Sequence, residues 1–172
     1  MRNRIIILIR HGQCVSNIGG QYSVSTDADD VLTELGKEQA TQTGQFFKNL
    51  VLSNSLFNNL KIISSDLERA KQTSSIIKSI NPSLLDVSYD ERLREKNKEE
   101  TINAVLKRVK DVFSENDQQD LMIITHGHVL ESIFSHPLFD FDSQIQFFNC
   151  GISIIKGSQI LTINSITHLL NF

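Results

Sequence analysis

The first apolar block of the chain, Ile5-Ile6-Ile7-Leu8-Ile9, has no polar interruption and stops on Arg10-His11-Gly12. Unbroken aliphatic runs of this length suit a strand buried on both faces. The first strand is therefore expected over residues 4–10. The pattern recurs at Leu121-Met122-Ile123-Ile124-Thr125, which breaks into His126-Gly127-His128. Shorter apolar runs predict strands over 60–64 and 84–88. Three more are expected at 145–148, 151–156 and 160–163, with Gly157-Ser158 as a hairpin turn between the last two.

Helical periodicity fills the spaces between. Leu35, Ala40, Phe46, Phe47 and Leu50 mark a stripe that predicts a helix from an N-cap at Thr33 to about residue 52, with Gly36 tolerated early. Residues 66–80 read as a second helix, capped by Ser65 or Asp66 and stopped before Pro82. Residues 100–114 form a third, with Ile102, Val105, Leu106, Val109 and Phe113 on one face, and residues 127–134 a short fourth. The polar stretches are a long Gly-, Ser- and Asp-rich loop over 11–32, an asparagine-rich turn over 53–59 and a charged loop over 89–99. A loop as long as 11–32 is usually functional. Strands alternating with helices predict an α/β fold, a three-layer helix–sheet–helix sandwich with a mostly parallel central sheet. No internal repeat or linker divides residues 1–172, so one domain is expected.

In open α/β sheets ligands bind at the carboxyl ends of the strands. Arg10-His11 and His126 therefore stand at the mouth of the sheet, which marks them as a reactive set. Composition narrows the ligand. The 172 residues carry 17 basic and 20 acidic side chains, a net charge of −3. That balance excludes nucleic-acid binding driven by bulk charge, and any anion site must come from local clustering. The apolar run after Arg2 and Arg4 is too short for a signal segment or a membrane span. Cys14 and Cys150 then read as reduced thiols of a cytoplasmic protein without a membrane or nucleic-acid partner.

The candidate chemistry gathers Arg10, His11, Asn17, Arg69, His126 and one glutamate from 91–100. Arg69 falls in the first turn of its helix, where a cation opposes the helix dipole, so it is expected to face an anion. Two guanidinium forks suit a phosphoryl group. A neutral histidine with one nitrogen donating to a backbone carbonyl can attack phosphorus with the other. A carboxyl group opposite would protonate the leaving oxygen and then activate water.

The residues that carry this chemistry also carry a resemblance. Ile9-Arg10-His11-Gly12-Gln13 followed by Asn17 resembles the signature of the histidine phosphatase superfamily, the phosphoglycerate-mutase-like proteins. The blocks Leu32 to Ala40, Ser64 to Thr73 and Thr125 to His128 resemble its further blocks in the same order, and Asn149 with residues 164–169 is similar to its C-terminal strands. The resemblance implies His11 as the nucleophile that becomes phosphohistidine. It implies His126 as the second catalytic histidine, and Arg10, Asn17, Arg69 and Gly127 as phosphate-binding residues. The acid falls on Glu95 in Arg92-Leu93-Arg94-Glu95, with Glu91 as the alternative. Neither a metal nor a cofactor is implied. Two departures stand out: residues 96–100 contain no glycine, and the usual glycine before the loop aspartate, Asp27 or Asp29, is missing.

Other polar residues read more plainly. Gln13 is expected to order the loop, Cys14 to be a small semi-buried residue and His136 and His168 to be structural. His128 is either a rim contact to substrate or a solvated helix-start residue. Arg92 and Arg94 are expected to pair at the surface, with a second anionic group as the rival reading, and the 96–100 charge run to be solvated. The functional expectation is hydrolysis of phosphomonoesters through phosphohistidine, on a small phosphorylated substrate or, as a second reading, a phosphorylated protein side chain. The short segment after Glu95 offers little lid, which favours hydrolysis over a mutase reaction. A mutase and a catalytically silent binder of phospho-ligands are the alternatives.

Overall fold

The computed structural model describes residues 4–18, 29–53, 60–84, 86–135 and 145–170. Among them is a six-stranded sheet, in the order β3-β2-β4-β1-β5-β6. Strands β1 (Ile5–Arg10), β2 (Lys61–Ser64), β3 (Val87–Tyr89) and β4 (Leu121–Thr125) are parallel. Strand β5 (Ile152–Lys156) runs antiparallel to β1, and β6 (Gln159–Ser165) antiparallel to β5 through the Gly157-Ser158 turn. Helices α1 (Glu34–Ser53) and α2 (Glu68–Ile80) cover one face; α3 (Ile102–Glu115) and α4 (Gly127–Phe134) cover the other.

The alternation of side chains along a strand explains the unbroken apolar runs. Ile5, Ile7 and Ile9 pack with Phe47, Ala70 and Ile77 of α1 and α2. Ile6 and Leu8 pack with Val105, Val109, Val129 and Leu130 of α3 and α4. Each face of β1 thus needs its own aliphatic set, and the expected three-layer sandwich is found. The pairing of β1 with β4 ends with Arg10 opposite Thr125. The two strands stop at the same level, and His11 N–H donates to Thr125 O at 3.0 Å.

Several boundaries differ from expectation for local reasons. Thr33 caps α1, accepting from Gly36 N–H at 3.0 Å, but Leu35 is exposed and lies off the core stripe. Helix α2 starts at Glu68 after Leu67, which gives no side-chain cap. Ser65 Oγ accepts from Leu67 N–H instead, and the Asp66 carboxylate is taken by Arg94. The helix ends before Pro82, where Asn81 Nδ2 donates to Ile77 O and Gly44 O. Strand β3 lies at 87–89, not 84–88, because Leu84 turns into the core beside Ile77. Thr101 caps α3 through Ala104 N–H; Ile102 is exposed, and Val112 completes the buried stripe. Residues 145–148 form no strand. Their backbone is bracketed by one side chain: Asn164 accepts from Phe148 N–H at 2.9 Å and donates to Gln146 O at 2.8 Å. Residues 164–169 are only partly strand, since Thr167–Leu169 is a 3-10 turn. Of the long first loop, a 3-10 turn at Val15–Asn17 and a bridge from Cys14 to Leu32 are described. Asp27, the Gly19-Gly20 pair, the 54–59 turn and His136 lie outside the described residues.

Candidate active site

At the carboxyl ends of β1 and β4 the chain places four buried cationic or imidazole side chains together: Arg10, His11, Arg69 and His126. The His11 and His126 rings lie 5.0 Å apart, centroid to centroid, inclined by 59°. His11 Nδ1 lies 2.7 Å from Gly12 O. A carbonyl only accepts, so Nδ1 carries the proton and donates. Nε2 is left with its lone pair, which accepts from Arg69 Nε–H at 3.3 Å. Burial, then the charges of Arg10 and Arg69, hold the His11 pKa well below its ordinary value of 6.5. His126 is lowered for the same first reason, followed by His11, Arg69 and Arg10. Both imidazoles are therefore neutral near pH 7.

The loop that carries His11 is fixed from several sides. Gly12 N–H donates to Thr73 Oγ1 at 3.1 Å, and Thr73 Oγ1–H to Arg69 O at 2.7 Å. His11 O accepts from Cys150 N–H at 3.3 Å and from Asn149 Nδ2 at 3.0 Å. A Cβ at Gly36 would sit 1.9 Å from Gln13 O, and one at Gly12 2.5 Å from Gly36 O. The two glycines let the loop lie directly on the first turn of α1, so Gly36 does more than survive in its helix. Gln13 orders this contact, as expected. Its N–H donates to Gln39 Oε1, and its backbone and side-chain oxygens accept from Thr33.

Around this centre the other expected residues take distinct places. Arg10 Nη1 donates to Phe147 O at 2.7 Å. His126 Nε2 lies 2.8 Å from Ser65 Oγ. His126 Nδ1 is buried without a hydrogen-bond partner among the described residues. Asn17 joins the cluster through Asn149: its Oδ1 accepts from Asn149 Nδ2 at 3.1 Å and from Cys14 N–H at 3.3 Å. Gly127 is the buried first residue of α4, directly after His126. Cys14 is fully buried, and Cys150 is buried with its thiol pKa pushed up to about 12 by desolvation. His168, packed near Thr43 and Phe46, is pulled down to about 4 by burial.

Glu95 and Glu91 part company. Glu95 is buried, with Oε1 accepting from Lys96 N–H at 2.8 Å and Oε2 3.4 Å from His128 Nδ1. Glu91 is exposed in the 3-10 turn Glu91–Leu93. His128 stands half-buried in the first turn of α4. It forms an ion-pair contact with Glu95, which raises its pKa. Arg92 and Arg94 pair with carboxylates, Arg92 with Asp90 and Glu115, Arg94 with Asp66. The segment without glycine closes on Asn97, whose Oδ1 accepts from Glu99 N–H at 2.9 Å and Glu100 N–H at 2.8 Å. None of its residues adopts a positive φ, so no glycine is required there.

One contributor escaped the sequence reading. Asp30 is buried, with Oδ2 3.6 Å from Arg69 Nη1, and it accepts from Ser16 N–H and Ser16 Oγ–H. A buried arginine calls for a carboxylate. Nothing in the run Asp27-Ala28-Asp29-Asp30 says which of the three aspartates would answer. Among the described residues no group of three or more His, Cys, Asp and Glu side chains could hold a metal ion. No helix among them is long and apolar enough to cross a membrane.

Fold and site define an α/β domain with a buried cationic cluster at the carboxyl ends of β1 and β4. The chain belongs to the histidine phosphatase superfamily (branch 1), whose sequence profile matches residues 6–99. It is 34% identical over 90 residues to a probable phosphoglycerate mutase, GpmB, of Salmonella choleraesuis, a match covering 52% of this chain. The matched region spans only 37% of that relative's length. Among solved structures it is similar to phosphoserine phosphatase of Entamoeba histolytica, with TM-score 0.75 and 21% identity over 97% of this chain and all of the other. It is also similar to phosphoglycerate mutase of Bacillus anthracis, with TM-score 0.78 and 15% identity over 96% of this chain and 95% of the other. These two likenesses establish the fold.

Proposed function

We propose that this protein is a phosphatase that hydrolyses phosphomonoesters through a phosphohistidine on His11. The observation that carries the reading is the state of that ring: Nδ1–H donates to Gly12 O, and the Nε2 lone pair lies beside Arg69. A neutral imidazole with its unprotonated nitrogen among permanent cations is a nucleophile facing an anion site. Arg10, Arg69 and His126 hold the phosphoryl oxygens, Asn17 and the N-terminal Gly127 of α4 add to the clamp, and side-chain cations supply the charge that a metal would otherwise bring. Nε2 attacks phosphorus in line as the ester oxygen departs. Glu95 gives that oxygen its proton. Glu95, now a carboxylate, takes a proton from water, whose oxygen displaces the histidine and releases inorganic phosphate. The burial of Glu95 beside the cluster favours it over the exposed Glu91. Two buried, unbridged thiols suit a reducing compartment such as the cytoplasm.

The test uses a 32P-labelled monoester with acid and alkaline quench. Turnover with an alkali-stable, acid-labile label that disappears in His11→Ala supports the reading. The likeness to a mutase gives the rival a definite form. Label that accumulates without release of phosphate, and discharges onto an added phosphoester, would identify a mutase. Phosphate binding without label or turnover would leave only a silent binder.

A further inference from the structure

Next to the cluster is a cavity of about 350 Å³ lined by Leu67, Glu91, Arg94, Glu95, Glu100 and Arg108, together with Asn97. It adjoins the proposed chemistry on the side of the acid. Glu95 forms part of its wall and also contacts His128, two residues beyond His126. Leu67 is in the wall two residues before Arg69. An ester oxygen protonated by Glu95 therefore carries its alcohol into this space.

The ionic wall has a definite sign. Its guanidiniums are already held by carboxylates. Arg108 donates to Glu100 at 2.7 and 3.0 Å and to Arg92 O. Arg94 donates to Asp66 at 2.7 and 2.6 Å. Glu91 adds a further carboxylate whose charge acts on Arg94, and Glu95 contacts His128. With Glu95 holding the proton it gives to the ester oxygen, Glu91 and Glu100 balance Arg94 and Arg108 in the lining, and Asp66 on Arg94 leaves one net negative charge. The nearby Lys96 turns its ammonium to Asn97 O at 3.4 Å. A carboxylate entering this cavity would compete with Glu91, Glu100 and Asp66 for its two guanidiniums.

Resting on the phosphatase reading, we propose that this cavity receives the alcohol part of the substrate. It selects ammonium-bearing alcohols first, neutral alcohols next and carboxylate-bearing alcohols last. The phosphate is gripped by the permanent cations of the cluster, and discrimination falls on the other end of the molecule. The substrate class is then small amino-alcohol phosphates, and not phosphorylated hydroxy acids.

The experiment compares kcat/KM for 2-aminoethyl phosphate, 2-hydroxyethyl phosphate and phosphoglycolate, which have the same two-carbon skeleton, with 4-nitrophenyl phosphate as control. The expected result is aminoethyl above hydroxyethyl, and phosphoglycolate about tenfold or more below hydroxyethyl, as like-charge juxtaposition demands. Glu100→Gln releases Arg108 and Asp66→Asn releases Arg94. Each variant should raise the ratio of phosphoglycolate to hydroxyethyl phosphate by about threefold or more. Phosphoglycolate turned over as well as the neutral ester overturns the inference. So does hydrolysis of the aryl ester with none of the three accepted, or an unchanged ratio in both folded variants. Failure to hydrolyse even the aryl ester sinks the phosphatase reading itself and is thereby told apart.

Discussion

Acid should destabilise this protein well above the pH at which carboxylates protonate, and the cause should be traceable to two side chains. His11 and His126 are buried and held below their ordinary value of 6.5, first by desolvation. In the unfolded chain each takes up a proton below that value; in the folded chain each resists it. Protons therefore favour unfolding, and stability is lost as pH falls below 6.5. Between about pH 7.5 and about pH 5.5 one such histidine costs about 1.4 kcal/mol, and the pair about 2.8 kcal/mol. For a chain of this size that is a fall in Tm of about 6–11 °C. His168, lowered to about 4, acts in the same direction, with a smaller share because it is partly exposed. His128 opposes them. Glu95 raises its pKa, so its contribution is present below 6.5 and lost as pH rises. Asp30, Asp66, Asp90, Glu100 and Glu115 have lowered pKa values, and they lose their contributions only below the carboxylate range. The window therefore isolates the histidines. Thermal unfolding followed by circular dichroism across it, for the native protein and for His11→Asn, His126→Asn and His128→Asn, reads each term. The first two should flatten the fall by about half each, and the third should steepen it. A Tm that is level or rises toward pH 5.5, or that falls identically in all four proteins, refutes the reasoning.

Three other outcomes follow from single contacts. Arg69→Lys keeps a charge but cannot donate from Nε to His11, and kcat/KM for an aryl phosphate should fall about a hundredfold or more at unchanged circular dichroism; full activity would remove Arg69 from the clamp. Gly36→Ala drives a methyl against Gln13 O, so it should cost about 1–3 kcal/mol in urea unfolding and lower kcat more than stability alone explains. Asn164→Ala removes both bonds that bracket residues 146–148, at a position with φ 50°. A loss of about 2 kcal/mol is expected, with reduced activity, because the same segment supplies Phe147 O to Arg10 and Asn149 to His11 O.

The residues easiest to read in the sequence were those whose positions rest on strand physics alone. A five-residue aliphatic run bounded by polar residues is too short for a helix and suits a buried strand, and Arg10, His11 and His126 stand where such runs break. Arg69 announced itself by sitting against its helix dipole. What stayed hidden depends on side chains reaching across the fold. Asp30 is one of three nearby aspartates and is singled out only by where the Cys14–Leu32 bridge sets it. The predicted strand at 145–148 has ordinary strand composition, yet Asn164, sixteen residues on, takes the backbone groups a ladder would use. Leu35 and Ile102 fit the helical period but fall in first turns, where loops approach and the core has not yet begun.

Sheet order accounts for the site more economically than any of its residues does. Strand β4 lies beside β1 although Thr125 follows Arg10 by 115 residues in the chain, and their register ends with those two residues opposite each other.

 Parallel neighbours that end level must place the residues just beyond them side by side, so two His-Gly breaks become one pair of rings 5.0 Å apart. The neighbouring β2 ends at Ser64, which lets Ser65 reach His126 and brings the first turn of α2, with Arg69, over the same edge. On the other side β5 runs antiparallel, so its beginning lies at this edge, and Asn149 and Cys150 just before it reach His11 O. Four strand ends thus converge on one spot, and each supplies a different group. A net-acidic chain needs no excess of basic residues to grip a phosphate, because two guanidiniums are enough when the sheet delivers both to the same buried place.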